Sequence, residues 1–216
     1  FNINILGTLN VLEATRELPD LKATLIITTD KVYKNNKKAT GYVESDPLGG
    51  NDPYSASKAA ADIATQSWRA SFGQSPIAIA RAGNVIGGGD WAKDRIVSDI
   101  FKCIESASTL QLRSPEAIRP WQHVLDCLNG YLCLIQAQLN EKVQEEWNFG
   151  PNESDVRAVK ELVNQFEKSL GRTLRISEIE NEYSETSTLI LNSNKSRKKL
   201  RWEEKLNFEE SVEWTT

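Results

Sequence analysis

The chain has 216 residues, of which 39% are hydrophobic and 26% are charged, and its formal net charge at pH 7 is −4. This length suits one large domain or two small ones. The acidic balance argues against a nucleic-acid-binding protein, because such domains usually carry a basic face. No apolar run approaches the roughly 20 residues of a membrane span, and no signal peptide is visible. Three cysteines without C-x-x-C spacing favour reduced thiols over disulfides or a metal site, so we expect a cytoplasmic protein.

Helix and strand patterns alternate along the chain, which is typical of a doubly wound α/β fold with a parallel sheet. The first half predicts a helix over 4–17, a strand over 23–28, a helix over 53–73 and a strand over 76–82. The second half predicts helices over 92–106, 123–139 and 155–170, and strands over 109–112 and 146–149. The remaining tail is polar and less regular.

Polar residues follow the first predicted strand. Thr29, Asp30 and Lys31 come directly after the apolar run at 23–28. Open α/β sheets place their chemistry at the carboxyl ends of their strands, so this tripeptide is a candidate for catalysis. A plain polar turn is the ordinary interpretation of such a tripeptide, and the helix that follows decides between the two.

That helix carries a tyrosine and a lysine four residues apart. Asp52 is a good N-cap and Pro53 suits the first helical position, so Tyr54 and Lys58 lie on one face of the helix. A nearby ammonium favours phenolate, and such a tyrosine can take a proton from a sugar hydroxyl near neutral pH. The spacing alone is weak, because most Tyr-x-x-x-Lys pairs are solvated surface residues.

Longer segments make the pattern specific. TDKVY at 29–33 and DPYSASK at 52–58 resemble the active-site segments of extended short-chain dehydrogenases/reductases that act on nucleotide sugars. RAGNVIGGGDWA with DRI at 81–96, and AIRPWQHV at 117–124, resemble the CDP-glucose 4,6-dehydratase branch of that family. Weaker similarity through 148–202 extends the resemblance to nearly the whole chain.

The resemblance implies an architecture and an assembly. Residues 1–83 would form the second half of an NAD-binding Rossmann domain, and 84–216 would form mostly a smaller α/β substrate domain. The helix over 123–139 would pack back on the Rossmann domain. The family pairs two helices of each subunit into a homodimer, here 4–17 and 53–73. The apolar contacts on the second helix would come from Ala59, Ala60, Ile63 and Trp68, of which some must face the domain's own sheet.

The resemblance also implies roles in the NAD-dependent dehydration of CDP-glucose. Tyr54 would be the general base, Lys58 would assist it and hold the nicotinamide ribose, and Thr29 would bond the 4-hydroxyl of the sugar. Asp30 would protonate the departing 6-hydroxyl. Many 4,6-dehydratases carry Glu where this chain has Lys31, so Lys31 is either the base at C5 or an electrostatic support for the enolate.

Substrate binding requires groups that match a pyrophosphate. Arginine does so with a planar fork, and Arg119 is the first candidate and Arg95 the second. Asn84, just past strand 76–82, can bond a phosphate or the sugar. Each has a plain alternative, a surface arginine or an asparagine in a turn. The three glycines at 87–89 follow the wrong strand for a dinucleotide loop and are expected to form a pliable rim.

Two features limit these expectations. The sequence has no G-x-G-x-x-G motif and no methionine, so we expect a fragment that lacks the first half of the cofactor domain and is poorly folded and inactive alone. His123 is the only histidine, which leaves little for a histidine triad or zinc site and favours a packing role. Trp91 and Trp121 are expected in packing.

Two alternatives stay open, namely a sister epimerase or dehydratase for another nucleotide sugar, and a non-catalytic interaction module.

Overall fold

The computed structural model describes residues 1–73, 75–179 and 188–216. The helices are α1 (Gly7–Thr15), α2 (Pro53–Phe72), α3 (Ile96–Ser106), α4 (Val124–Glu141), α5 (Val159–Leu170), α6 (Asn194–Leu200) and α7 (Phe208–Glu213). The strands are β1 (Thr24–Ile27), β2 (Ile77–Ala82), β3 (Val85–Ile86), β4 (Leu110–Leu112), β5 (Ile118–Pro120), β6 (Gln122–His123), β7 (Glu146–Phe149), β8 (Val156–Ala158) and β9 (Ile176–Glu178).

The predicted elements are present, with shifted ends. The first predicted helix begins as a π-helical turn at Asn2–Leu6 and continues as α1. The helix predicted from 92 starts only at Ile96, because Asp94 adopts a left-handed backbone conformation with φ 60°. The helix predicted from 155 starts at Val159, because the short strand β8 precedes it.

A parallel sheet in the order β1-β2-β7 forms the centre of the first half. Strand β2 is buried along its whole length, and its alternating side chains face two different layers. Ile77 and Ile79 pack with Leu12 of α1 and Ile26 of β1. On the other face Gln138 of α4 donates from Nε2 to the carbonyl oxygens of Thr24 and Pro76, both at 2.9 Å. Helices on both faces make this a doubly wound sheet, as predicted.

The α4 face has its own core. Small side chains on β2 leave room there for large aromatic rings from β7 and the chain's last third. The residues that pack together on this face are Ala78, Ala80, Ala82, Cys127, Leu134, Trp147, Phe149 and Trp202. Strand β7 and helix α6 therefore belong to the same layer system as β1 and β2, although they follow residue 84.

A separate hydrophobic cluster organises most of the second half. It joins α3, α5 and α7 to three two-stranded sheets, β3-β6, β4-β9 and β5-β8. Its buried members are Ile86, Val97, Ile100, Leu110, Leu112, Trp121, Leu162, Val163, Phe166, Phe208 and Val212. These strands have two or three residues each, so their pairing depends on this core rather than on strand propensity.

The two edges of the parallel sheet differ. Side chains cover the outer edge of β7: Glu44 accepts the backbone N–H of Asn148 at 2.9 Å, and Ser193 Oγ accepts that of Gly150 at 2.8 Å. Strand β1, in contrast, pairs with β2 alone within the described part of the chain. An unpaired edge in a parallel sheet is a position where a further strand can add.

The apolar residues named on the second helix of the expected dimer face divide between the chain's own core and its surface. Ala59 is buried in the chain's own core with Val32 and Tyr33, and Trp68 packs against the Ile77 cluster. Both therefore serve the fold rather than an external contact, because their side of α2 faces the sheet. Ile63 is 53% exposed. Of the helices that the structure describes, none is long and apolar enough to cross a membrane.

Candidate active site

The polar tripeptide forms a tight turn at the carboxyl end of β1. Residues Asp30–Val32 form a 3-10 helix, and Thr29 is its N-cap. The hydroxyl of Thr29 donates to Asp30 Oδ1 at 2.9 Å and accepts the backbone N–H of Lys31 at 3.4 Å. The turn thereby fixes the direction in which the Asp30 carboxyl leaves the strand.

Asp30 is a buried carboxyl. It is 2% exposed, and its Oδ2 atom has no hydrogen-bond partner among the described residues. Burial raises its pKa from 3.8 to about 6, against the opposing effects of the Thr29 hydrogen bond and of the charges on Lys31 and Arg119. A carboxyl with this pKa holds a proton more readily than an ordinary aspartate and can act as an acid near neutral pH.

Gly83 makes space for this carboxyl. A Cβ atom at Gly83 would lie 2.6 Å from Pro120 Cγ and 3.4 Å from Asp30 Oδ2. The backbone after β2 can therefore approach Asp30 and the β5 strand closely only because residue 83 has no side chain.

We expect the substitution Gly83→Ala to lower the free energy of unfolding by about 1–3 kcal/mol, because the new methyl group forces Pro120 or Asp30 to move. Gly88→Ala is the matched control: its Cβ would meet only Thr215 O, at 4.0 Å, and the change should be neutral or slightly stabilising. Urea unfolding of both variants measures the difference. Equal stabilities would show that the contact at Gly83 relaxes freely.

Helix α2 presents Tyr54 at the surface near this turn. Asp52 caps the helix by accepting the backbone N–H of Ser55 at 2.9 Å, and Pro53 takes the first turn, both as predicted. Tyr54 is 46% exposed, and the ammonium of Lys31 lies 5.9 Å from its ring centroid. The Tyr54 phenol and the Lys31 side chain are therefore both exposed and close together, so one ligand can contact both.

Lys58 lies one turn further along α2 and reaches toward β1. Its Nζ donates to the carbonyl oxygen of Ile27, the last residue of that strand, at 3.1 Å. Burial lowers the pKa of Lys58. An ammonium has three N–H donors, so the Ile27 carbonyl takes one, and the position suits a ligand with hydroxyl groups.

The three residues predicted to bind substrate occupy different environments. Arg119 is 9% exposed, donates to Ile118 O at 2.9 Å and acts electrostatically on Asp30, so it is not an ordinary surface arginine. Asn84 follows β2 next to Gly83, and its carbonyl oxygen accepts the backbone N–H of Gln122 at 3.0 Å. Arg95 is exposed at the residue before α3. The structure thus brings Arg119 to the Asp30 turn and leaves Arg95 facing solvent.

One set of residues near the site was missed by sequence reasoning. Arg81 and Asp62 form a fully buried ion pair behind the Tyr54 helix, and Tyr33 and Asn148 extend it. A signal existed: a buried arginine in an apolar strand requires a carboxylate partner. Asp62 also lies on the Tyr54 and Lys58 face of α2, eight and four residues after them.

The remaining expectations concern packing. His123 is 3% exposed and caps α4 by accepting the backbone N–H of Leu125 at Nδ1, 3.3 Å away, which confirms its packing and hydrogen-bonding role. Trp121 is buried and donates to Arg157 O at 3.1 Å, whereas Trp91 is 56% exposed and packs on one side only, with its ring centroid 6.5 Å from that of Phe101. The described residues contain no group of three or more His, Cys, Asp or Glu that could hold a metal ion.

Comparison with known proteins places this arrangement in a family. A family model described as GDP-mannose 4,6 dehydratase matches residues 1–215. The chain belongs to this family. Within it, the chain is 37% identical to the CDP-glucose 4,6-dehydratase of Salmonella typhimurium, over 98% of this chain and 62% of that protein. It is 25% identical to the dTDP-glucose 4,6-dehydratase of Xanthomonas campestris, over 98% of this chain and 64% of that protein.

Solved structures of related enzymes have the same fold. A dTDP-glucose 4,6-dehydratase from Bacillus anthracis in complex with NAD superposes with a TM-score of 0.87 at 26% identity, covering 98% of this chain and 66% of that one. A UDP-glucuronic acid 4-epimerase from Bacillus cereus gives 0.88 at 19% identity, covering 100% and 67%. The chain therefore has the Rossmann-type fold of the extended short-chain dehydrogenases/reductases. It spans about two thirds or less of the length of these relatives.

Proposed function

We propose that the chain is the active-site portion of a CDP-glucose 4,6-dehydratase, a hydro-lyase that converts CDP-D-glucose into CDP-4-dehydro-6-deoxy-D-glucose and water. The observation that carries the proposal is the buried Asp30 carboxyl, with one oxygen unpartnered among the described residues, in the turn whose Lys31 ammonium lies near the Tyr54 ring. An epimerase has no leaving hydroxyl to protonate, so a buried acid favours dehydration. The 37% identity to the Salmonella enzyme supports CDP-glucose as the sugar nucleotide.

The first chemical task is removal of the proton from the 4-hydroxyl. Tyr54 is the proposed base, because its phenol is exposed at the protein surface. Lys58 supplies a positive charge on the same helix face. The Thr29 hydroxyl is proposed to hold the 4-hydroxyl next to that phenol. The ring of Tyr54 also lies near the Lys31 ammonium, which favours the same charge development.

The second task is the loss of water across C5 and C6. The C5 proton passes to a base, for which Lys31 is the candidate, the C6–O bond breaks, and the departing oxygen takes the Asp30 proton to leave as water. A pKa of about 6 keeps part of the Asp30 population protonated near neutral pH. Lys31 is exposed beside Tyr54, and we propose it either as the base that takes the C5 proton or as the group that supports the negative charge of the enolate.

The proposed cofactor is NAD. Related dTDP-glucose 4,6-dehydratases from Bacillus anthracis and Streptomyces venezuelae were solved with NAD bound. The half-buried ammonium of Lys58 at the end of β1 fits the hydroxyls of a ribose. When bound, NAD supplies the hydride acceptor and donor of the reaction. Asn84, Arg95 and Arg119 are the proposed contacts to the sugar nucleotide.

The test uses the protein expressed from its complete coding sequence in deuterated water. It is incubated with NAD and, separately, with CDP-glucose, UDP-glucose, dTDP-glucose and GDP-mannose. Mass spectrometry follows water loss and uptake of one deuterium at C5. Dehydration of CDP-glucose alone supports the proposal. Turnover of another sugar moves the substrate, epimerisation without water loss contradicts the dehydratase, and no reaction with any sugar favours the interaction module.

We also propose a division into a nucleotide-binding part, 1–83, and a mostly substrate-binding part, 84–216. The separate hydrophobic cluster around Phe166 supports this division. Helix α4 and strand β7 are assigned to the first part, because β7 pairs with β2 and Gln138 of α4 bonds the carbonyl oxygens at the start of β1 and just before β2. The proposed location is the cytoplasm.

A homodimer through α1 and α2 is the proposed assembly. Ile3, Leu6 and Val11 are 87%, 51% and 55% exposed, and Ile63 of α2 is exposed as well. These exposed apolar side chains are the contacts proposed for a second copy of the chain.

We expect Ile63→Lys in the full-length protein to shift a dimer toward monomer, because it buries a charge in that contact. Leu132→Lys on α4 is the matched control, since Leu132 is 64% exposed on another helix. Sedimentation velocity measures both. A dimer that survives Ile63→Lys but dissociates with Leu132→Lys would place the contact on α4 instead.

A further inference from the structure

Asp62 of α2 and Arg81 of β2 form an ion pair in the interior of the protein. Arg81 donates from Nε and Nη2 to the two carboxylate oxygens of Asp62, at 2.8 and 2.7 Å, and both side chains are 0% exposed. Removing two charges from water is unfavourable, so such a pair is weak support for stability as such. Its geometry indicates another use.

The carboxylate joins three elements at one point. Asp62 belongs to α2, and Arg81 belongs to β2. Asp62 Oδ2 also accepts the hydroxyl of Thr28 at 3.1 Å, which fixes the end of β1. Thr28 immediately precedes Thr29, and Asp62 lies one helical turn after Lys58. The helix that carries the proposed base is thus bonded directly to the strand end that carries the proposed acid.

The guanidinium extends this link to the far side of the turn. Arg81 Nη1 donates to the hydroxyl of Tyr33 at 3.0 Å and to Glu44 O at 2.9 Å. Burial raises the pKa of Tyr33, so its hydroxyl keeps its proton, which it donates to Asn148 Oδ1 at 2.6 Å. Tyr33 directly follows the 3-10 helix of Asp30. Both ends of the Thr29–Val32 turn are therefore held by the same ion pair.

We propose that Asp62 and Arg81 are positioning residues that hold Tyr54 and Lys58 in register with Thr29 and Asp30. The proposal rests on the function proposed above. Both side chains are fully buried, so these residues act only through the elements that they join. Proton transfer depends steeply on such register, since a displacement of about 1 Å can lower a rate by about 100-fold.

The sharpest test removes one hydroxyl of this link. Thr28→Val keeps the shape of the side chain and removes the hydroxyl, which lies 3.1 Å from Asp62 Oδ2 and 3.4 Å from Ala80 O. Thr65→Val is the matched control, because Thr65 is a buried threonine of α2 whose hydroxyl donates only within its own helix, to Ala61 O at 2.8 Å. Both variants are made in the full-length enzyme, and kcat, KM and the pH profile of kcat are measured with CDP-glucose.

We expect Thr28→Val to lower kcat at least tenfold, with KM changed less than twofold, and to move the pH profile. Thr65→Val should leave kcat within twofold at a similar melting temperature. Loss of kcat confined to Thr28→Val is the signature of positioning, because lost stability alone would affect both variants. Equal kcat values in the two variants would overturn the proposal.

Two further measurements test the proposal, one by replacing the ion pair itself and one without relying on turnover. Asp62→Leu combined with Arg81→Met replaces the ion pair by apolar side chains, which buried pairs often tolerate without unfolding. A folded double variant with wild-type kcat contradicts the proposal. Hydrogen exchange of the amides over 53–62 does not depend on turnover: it should rise in Thr28→Val and not in Thr65→Val. If the wild-type protein dehydrates no sugar, the proposed function fails, and the exchange result still decides whether the link holds the helix.

Discussion

Tyr54→Phe is expected to lower the kcat for dehydration of CDP-glucose by about 10²- to 10⁴-fold, the usual contribution of a general base. The phenol is the acceptor proposed for the 4-hydroxyl proton, and phenylalanine has no oxygen to take it. Tyr54 is 46% exposed, so the substitution leaves no buried polar group without a partner. The variant should therefore fold as the wild type does, and the loss should be in kcat rather than KM.

Tyr42→Phe is the control for this change. Tyr42 is buried. Its hydroxyl accepts the backbone N–H of Asn36 at 2.8 Å and lies within donating distance of Asn35 Oδ1 and Asn36 Oδ1, at 3.0 and 2.9 Å. Removing that hydroxyl should lower the melting temperature and leave kcat nearly unchanged. Steady-state kinetics and thermal unfolding of both variants separate the two effects. A Tyr54→Phe enzyme with more than a tenth of wild-type kcat would show that another group takes the proton.

The long elements were predictable because each has a local cause. The cap at Asp52 and the proline at 53 specify the start of α2, and the apolar run at 76–82 specifies β2. The two-residue strands β3 and β6 have no such cause, because they pair only when the core around Trp121 brings them together. Tertiary packing decides these short strands, and a single sequence does not display it.

The positions of the candidate residues in the fold were predictable, and their contacts were less so. Thr29 and Asp30 follow β1, Tyr54 and Lys58 lie in the first two turns of α2, and Lys58 bonds the last residue of β1, as the predicted ends of the strand and helix imply. The burial of Asp30 was not predicted, because the close approach of Gly83 to Pro120 and Asp30 depends on distant segments of the chain. Local spacing contains no information on that approach.

Asp30→Asn should separate function from stability. Without a dissociable proton the variant cannot protonate the departing 6-hydroxyl, and we expect kcat for dehydration to fall by about 100-fold or more. The same change should stabilise the protein at alkaline pH. The folded-state pKa of Asp30, about 6, lies above the ordinary value of 3.8. The folded protein therefore binds more protons than the unfolded chain between these values, and its stability falls as the pH rises through them.

The size of this effect follows from the pKa. Each pKa unit is worth about 1.4 kcal/mol, so the ionised Asp30 lowers the free energy of unfolding by about 3 kcal/mol above pH 7, as an upper value. Urea unfolding at pH 4 should give Asp30→Asn and wild type similar stabilities, and at pH 8 the variant should be more stable.

Asp46→Asn is a control with the opposite sign. Slight burial raises the pKa of Asp46, but hydrogen bonds from Lys38 and the Val43 backbone outweigh it and hold the pKa below its usual range. Its ionised form stabilises the fold, so this variant should lose more stability at pH 8 than at low pH. If Asp30→Asn instead loses stability at pH 8, the Asp30 carboxylate is favourably solvated in the fold. The buried position would then not serve to keep a proton for the leaving group, and the assignment of Asp30 as the acid would have to be abandoned.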